Sequence, residues 1–199
     1  RVRHYTKGQV LILNGDNADY VYRLLKGKVK QYDTTYRGDE IILNVFKPSA
    51  FFPMSLAINK VPNPYTFEAE TDIEVQQVPA GEVVAFIKAN PDVLFDLLSR
   101  VFRGVDGLLG RMAHLMASSA KGRLMYELLI EARRFGILKT GGEYTIKVNE
   151  KDLAARAGLS RETVSREMGK LAKEGLVILN SGKITICNVE IFEGKLGKV

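Results

Sequence analysis

Among 199 residues the chain has one cysteine, two histidines, six prolines and no tryptophan. A single thiol, Cys187, excludes an internal disulfide, a four-thiolate zinc site and an iron–sulfur cluster. His4 and His114 show no metal-ligand spacing, and a lone helical histidine such as His114 is ordinarily a solvated or capping residue, so neither a metal nor a bound cofactor is expected. The longest apolar runs, such as 41–45, fall far short of the ~20 residues a bilayer-spanning helix needs. No basic-then-apolar signal segment opens the chain at Arg1, and with so little cysteine a reducing cytoplasm is the expected compartment. There is no P-loop and no GxSxG, so catalysis has nothing to rest on and the chain does not read as an enzyme.

What is present is a globular composition, 46% hydrophobic and 26% charged, with a net charge of +6 that is unevenly spread. Residues 1–120 carry 14 basic and 13 acidic side chains, whereas 121–199 carry 15 and 10. A basic C-terminal segment suits a polyanionic partner, because Lys and Arg that neutralise phosphates release counterions. Solvated lysine faces would give the same excess, so charge alone decides little.

Between Gly8 and Val84 the pattern is short β-type runs at 10–13, 20–25, 29–32 and 41–46, punctuated by Gly15-Asp16, Gly27, Gly38-Asp39 and Pro48. Turns at that spacing predict an antiparallel barrel or sandwich. Pro53, Pro62 and Pro64 mark a loop, after which 65–69 and 73–78 flank Glu70-Thr71-Asp72 as a hairpin. Beyond Gly81 the period changes. Leu94, Leu98, Val101, Val105, Leu108, Met112 and Leu115 are spaced 4, 3, 4, 3, 4, 3, the seam of a helix that pairs with its own copy. The plain alternative is a long helix lying across the barrel, with this stripe as ordinary core. Gly104, Gly107 and Gly110 each cost about 1 kcal/mol in a helix and soften it locally.

A second helix over 121–135 ends at Gly136, and a strand over 144–148 leads into residues 149–172. There Ala154, Gly158 and Val164 occupy relative positions 5, 9 and 15 of a helix-turn-helix: a small residue where helices cross, a glycine for the turn, and an apolar anchor for the second helix. Asn149 and Ser160 are the predicted N-caps. On the second helix Val164, Met168 and Leu171 point inward, leaving Arg161, Glu162, Ser165 and Arg166 outward, where Arg can bond guanine O6 and N7 and Glu can accept from cytosine N4. Runs at 176–179 and 183–187 around Asn180-Ser181-Gly182 complete a two-stranded wing.

The run Leu159-Ser160-Arg161-Glu162-Thr163-Val164-Ser165-Arg166, behind short strands and a heptad helix, resembles the Crp/Fnr family of bacterial transcription regulators over nearly the whole chain. That resemblance implies an α+β fold: an N-terminal antiparallel jelly-roll of the cyclic-nucleotide-binding type (1–90), a dimerisation helix (91–118) and a C-terminal winged helix-turn-helix (119–199). It further implies a homodimer on double-stranded DNA. Arg161, Glu162 and Arg166 would read bases of a TGTGA-type half-site, and Ser160 and Thr163 would contact phosphates. RNA polymerase would be met through the loop at about 137–145.

The effector site departs from the family pattern. Phe52-Pro53-Met54 stands where members that bind cyclic AMP have Phe-Gly-Glu, Asn63-Pro64 where they have Arg-Ser or Arg-Ala, and Leu108 and Leu109 where adenine-reading hydroxyls lie. Without a cation a buried phosphate is costly, so tight cyclic AMP binding is not expected. Phe51, Phe52, Met54, Tyr65, Phe67, Leu108 and Leu109 would line the same volume. Either they fill it and the regulator works without ligand, or they admit an apolar effector on which DNA binding depends. A sensor whose DNA binding requires an apolar effector or a cyclic nucleotide is the alternative, and a rival class is a cyclic-nucleotide or small-molecule binding module whose helix-turn-helix is vestigial.

Overall fold

A computed structural model describes residues 1–139 and 141–196. The chain divides into two compact units, Arg1–Phe102 and Arg103–Val199. The first contains β1 (Val2–Tyr5), β2 (Val10–Ile12), β3 (Tyr20–Lys26), β4 (Val29–Thr34), β5 (Glu40–Phe46), β6 (Phe51–Phe52), α1 (Met54–Asn59), β7 (Thr66–Ala69), β8 (Ile73–Pro79) and α2 (Ala80–Ala89), and α3 (Pro91–Ala117) begins in it. Two four-stranded antiparallel sheets, ordered β1-β8-β3-β6 and β2-β7-β4-β5, enclose a core that includes Leu24, Val29, Phe52, Phe67, Ala69 and Val75. Period-two alternation places these side chains inside while Lys30, Tyr32 and Glu68 face away, where the Lys30 ammonium bridges Glu40 at 2.8 Å and Glu68 at 3.2 Å.

Two expectations for this unit are corrected. The runs at 65–69 and 73–78 are not a hairpin, since β7 pairs with β2 and β4 while β8 pairs with β1 and β3. The chain changes sheets at Glu70-Thr71-Asp72, beside the similar crossing at Gly27-Lys28. The two crossings are stitched by Lys28 N–H donating to Thr71 Oγ1 at 3.0 Å and Glu70 N–H donating to the Lys28 carbonyl at 2.9 Å. The proline-marked loop also contains a helix, α1. Pro53 stands at its N-cap, and Lys60, left-handed at φ 53°, closes it before Pro62. The prolines bracket this helix and do not interrupt it.

The second unit takes the rest of α3 together with α4 (Ala120–Phe135), β9 (Ile137–Leu138), β10 (Tyr144–Ile146), α5 (Glu150–Ala157), α6 (Arg161–Lys173), β11 (Val177–Asn180), β12 (Lys183–Ile186) and α7 (Val189–Leu196). Leu124, Leu128, Leu153, Val164, Leu171, Ile186 and Phe192 form its core, each at 0% exposure. The wing is not an isolated pair. Its strands continue into a four-stranded sheet ordered β11-β12-β10-β9, whose outer strand β9 lies in the segment expected to be a loop; Thr140, in that same segment, lies outside the described residues.

Helix α3 runs unbroken through Gly104, Gly107 and Gly110. Its seven heptad residues are 38–60% exposed, which overturns their reading as ordinary core of a single chain. No described helix is long and apolar enough to cross a membrane.

Gly27 carries the tightest constraint of the first unit. Its φ of +84° is left-handed, and a Cβ there would lie 2.3 Å from the Asp72 carbonyl oxygen. Gly27→Ala therefore combines backbone strain with a clash, and a loss of about 2–3 kcal/mol is expected in urea unfolding. A wild-type midpoint for that variant would contradict the stitched crossing.

Candidate DNA-reading surface and effector pocket

The recognition surface is built from caps inward. Ser160 begins α6 by accepting the Thr163 N–H at 3.2 Å, and Asn149 begins α5 by accepting the Asp152 N–H at 2.8 Å. Between the helices Gly158 is left-handed at φ +60°, and the Arg123 guanidinium on α4 donates to its carbonyl at 3.3 Å. The turn is thus held from behind. Val164, Met168 and Leu171 are buried, at most 2% exposed. By helical spacing this leaves Ser160, Arg161, Glu162, Ser165 and Arg166 exposed on the outer face, with Thr163 half-buried beside the cap.

The electrostatics of that face favour ionised groups. Hydrogen bonds from its own backbone N–H and from the Ser160 hydroxyl hold the Glu162 carboxyl below the usual range, so it stays an acceptor. Arg161 lies 3.9 Å from Glu150, a loose and exposed pair. Arg166 Nε donates to Glu167 at 3.4 Å, and Lys170 donates to the same oxygen at 2.8 Å. Sequence reading missed Glu167, which is 5% exposed. Its signal was position: residue 167 follows Val164 by three and precedes Leu171 by four, on the buried stripe.

The effector region of the first unit holds a cavity of about 180 Å³ lined by Gln31, Phe46, Phe51, Phe52, Pro53, Met54, Ser55, Leu56, Tyr65 and Phe67. Phe52 is 1% exposed and stacks on Tyr22, Phe46 and Phe67, with centroids 5.7, 4.9 and 5.6 Å away. No Lys or Arg is among the lining residues. Four residues predicted for the pocket, Asn63, Pro64, Leu108 and Leu109, are not among its lining residues. Asn63 is buried as a brace, its amide donating to the Leu13 carbonyl at 2.7 Å and to the Tyr65 carbonyl, while Tyr65 N–H donates to its Oδ1 at 3.1 Å. Pro64 is exposed beside it, because the brace turns the chain outward there. Leu108 and Leu109, on the portion of α3 in the second unit, are 60% and 58% exposed. His114 is packed and not solvated: it stacks on Tyr126 at 4.2 Å, its Nδ1 lies 3.1 Å from Ser118 Oγ, and burial lowers its pKa.

Known protein families match a stretch in each unit. The cyclic nucleotide-binding domain family matches residues 2–90 and the Crp-like helix-turn-helix domain family matches 122–193. The chain is 26% identical to the transcriptional regulator SdrP of Thermus thermophilus over 188 residues, 94% of this chain and 89% of the relative. It is 29% identical to the global nitrogen regulator of a Nostoc species over 192 residues, 93% of this chain and 84% of the relative. A crystal structure of a CRP/FNR family transcriptional regulator, also from Thermus thermophilus, superposes with a TM-score of 0.79 at 25% identity, covering 98% of this chain and 97% of the other.

Phe52 is the centre of the aromatic stack, and truncating it removes contacts that its neighbours cannot replace. Phe52→Ala is expected to cost about 3–5 kcal/mol in equilibrium unfolding. A loss below about 1 kcal/mol would mean that the cavity collapses freely and that the stack is not what fills the site.

Proposed function

The chain belongs to the Crp/Fnr family of transcription regulators, and from that premise we propose that it acts in the cytoplasm as a homodimer reading a palindromic, TGTGA-like operator without needing cyclic AMP. One observation carries this reading: α6, capped by Ser160, buries Val164, Met168 and Leu171 and leaves Arg161, Glu162, Ser165 and Arg166 outward. On this reading Arg161, Glu162 and Arg166 meet base edges, Ser160 and Thr163 meet phosphates, and Ser165 packs beside them in the groove. Residues 1–90 serve as the effector-type domain, 91–118 as the pairing helix and 119–199 as the DNA-binding domain. Two recognition helices about 34 Å apart then enter successive major grooves.

Pairing through Leu94, Leu98, Val101, Val105, Leu108, Met112 and Leu115 is supported by their exposure, since an apolar stripe of that length seldom stays in water. Cyclic AMP independence is supported by the absence of a lining cation and by a cavity of about 180 Å³, below the roughly 300–1,000 Å³ typical of ligand pockets. RNA polymerase is the proposed further partner, through the segment at about 137–145, where Ile137 and Leu138 are 70% and 60% exposed. A second reading rests on the space that remains. Phe51, Met54, Leu56 and Phe67 line it, and a small apolar effector entering there would make DNA binding ligand-dependent.

The deciding experiment is fluorescence anisotropy of a duplex with two TGTGA-type half-sites, titrated at fixed salt with and without cyclic AMP. Tight binding that ignores the nucleotide and weakens steeply with salt is expected. Binding only with the nucleotide would overturn the ligand-free reading, and no binding in either arm would favour the second one. Arg166→Ala should cost about 1–3 kcal/mol and relax preference at one base pair. An unchanged ratio of specific to random binding would remove Arg166 from the base-reading set. Val101→Glu puts a charge in the seam, and in sedimentation it should yield monomers whose affinity for the palindrome falls at least about tenfold while half-site affinity holds. A stable Val101→Glu dimer would place the pairing surface elsewhere.

A further inference from the structure

Two carboxylates one turn apart on α4, Glu127 and Glu131, have side chains only 3% and 1% exposed. Each is held by a guanidinium from a different helix. Arg111 on α3 meets Glu127 as a fork, Nε to Oε1 at 2.8 Å and Nη2 to Oε2 at 3.0 Å. Arg156 on α5 donates to Glu131 at 2.6 Å from a side chain 5% exposed. Burial pushes the Glu127 carboxyl up, opposed by Arg111 and Arg156, while Glu131 adds like-charge repulsion. The carboxylate therefore depends on both arginines staying seated.

We propose that Arg111 is a positioning residue for DNA binding, its fork to Glu127 setting the angle between α3 and α4. The argument starts from what such a pair is good for. A buried ion pair gains little over a well-packed apolar one, because desolvation consumes the attraction; its attested use is to fix register. The neighbouring α3 to α4 contact, His114 on Tyr126, is a ring stack that tolerates sliding, whereas two parallel N–H bonds to one carboxylate define a direction. Arg156 and Glu131 extend the constraint to α5, the first helix of the helix-turn-helix. This rests on the homodimer reading above: where α3 pairs on a two-fold axis and α4 carries α5 and α6, the angle between α3 and α4 sets the separation of the two recognition helices. The fork thus selects operator spacing, a property that neither the bases read nor the seam determines.

The test uses the full chain, a duplex with one half-site, and palindromes whose half-site spacing is shortened or lengthened by one base pair. Wild type should prefer one spacing sharply. Arg111→Met should lower the unfolding midpoint, because it leaves Glu127 buried without its fork, yet keep half-site affinity within about twofold, while its best palindrome weakens about tenfold and the spacing preference flattens. Arg111→Lys keeps the charge without the fork. It should flatten the preference as well, which separates direction from charge and serves should the methionine variant fold poorly. Wild-type spacing preference in both variants would overturn the proposal. So would an equal loss on half-site and palindromes, the mark of a merely structural pair. A wild-type chain that sediments as a monomer and shows no spacing preference would instead overturn the homodimer reading itself.

Discussion

A helix that binds DNA can discriminate only when it does not rock on its own domain, and the second unit holds α6 from several sides. Val164, Met168 and Leu171 lie fully in the core, and at roughly 1.5–3 kcal/mol for each large apolar side chain buried, their face of α6 is strongly held down. Ser119, Asn149 and Ser160 then satisfy the first N–H groups of α4, α5 and α6, so all three helices begin where the sequence puts a short polar side chain. Arg123 closes the far side by donating to the carbonyls at the end of α5. What faces outward is free to be chosen for the ligand because what faces inward is chosen for rigidity.

The barrel answers a different problem with related means. Holding a phosphate inside a protein requires a cation, and a cation without its phosphate is itself a buried charge that must be offset. Asn63 carries no charge, so neither obligation arises at that position. The Asn63 amide is consumed by the Leu13 and Tyr65 backbone, and Phe46, Phe52 and Phe67 stack on one another in the wall of the cavity. The side chains around that volume are thus also part of the packing that holds the unit together.

The helix-turn-helix was legible because its rules are local. Caps, a left-handed glycine and the i, i+3, i+4 stripe all operate within one or two turns, and Asn149, Gly158 and Val164 obey them. Strand pairing is not local: the alternation in 65–69 and 73–78 specifies which side chains point inward but not which strands lie beside them, so two strands of different sheets read as a hairpin. Helix α1 was hidden by the prolines that bound it. The buried charges were hidden more deeply, since Glu127, Glu131 and Glu167 have the composition of a solvated face, and only the arginines or lysine opposite them explain why they are inside.

Helix α3 reveals why its single stripe was ambiguous. It presents two adjacent faces with opposite chemistry. Leu108, Met112 and Leu115 continue the apolar seam, while Gly110, Arg111 and His114 meet α4: a Cβ at Gly110 would stand 3.0 Å from the Tyr126 hydroxyl, Arg111 grips Glu127, and His114 stacks on Tyr126. A seam of leucine, valine and methionine specifies apolar contact but tolerates rotation, because one such side chain substitutes for its neighbour at little cost. The polar face does not tolerate it. Rotating α3 by one residue would carry the Arg111 guanidinium off its carboxylate, leave Glu127 charged and buried beside Glu131, and press a side chain against Tyr126 where even a Cβ makes a tight contact. In the proposed dimer the apolar stripe supplies the affinity of α3 for its partner, and the small and charged residues next to it determine the single rotation at which that affinity is used.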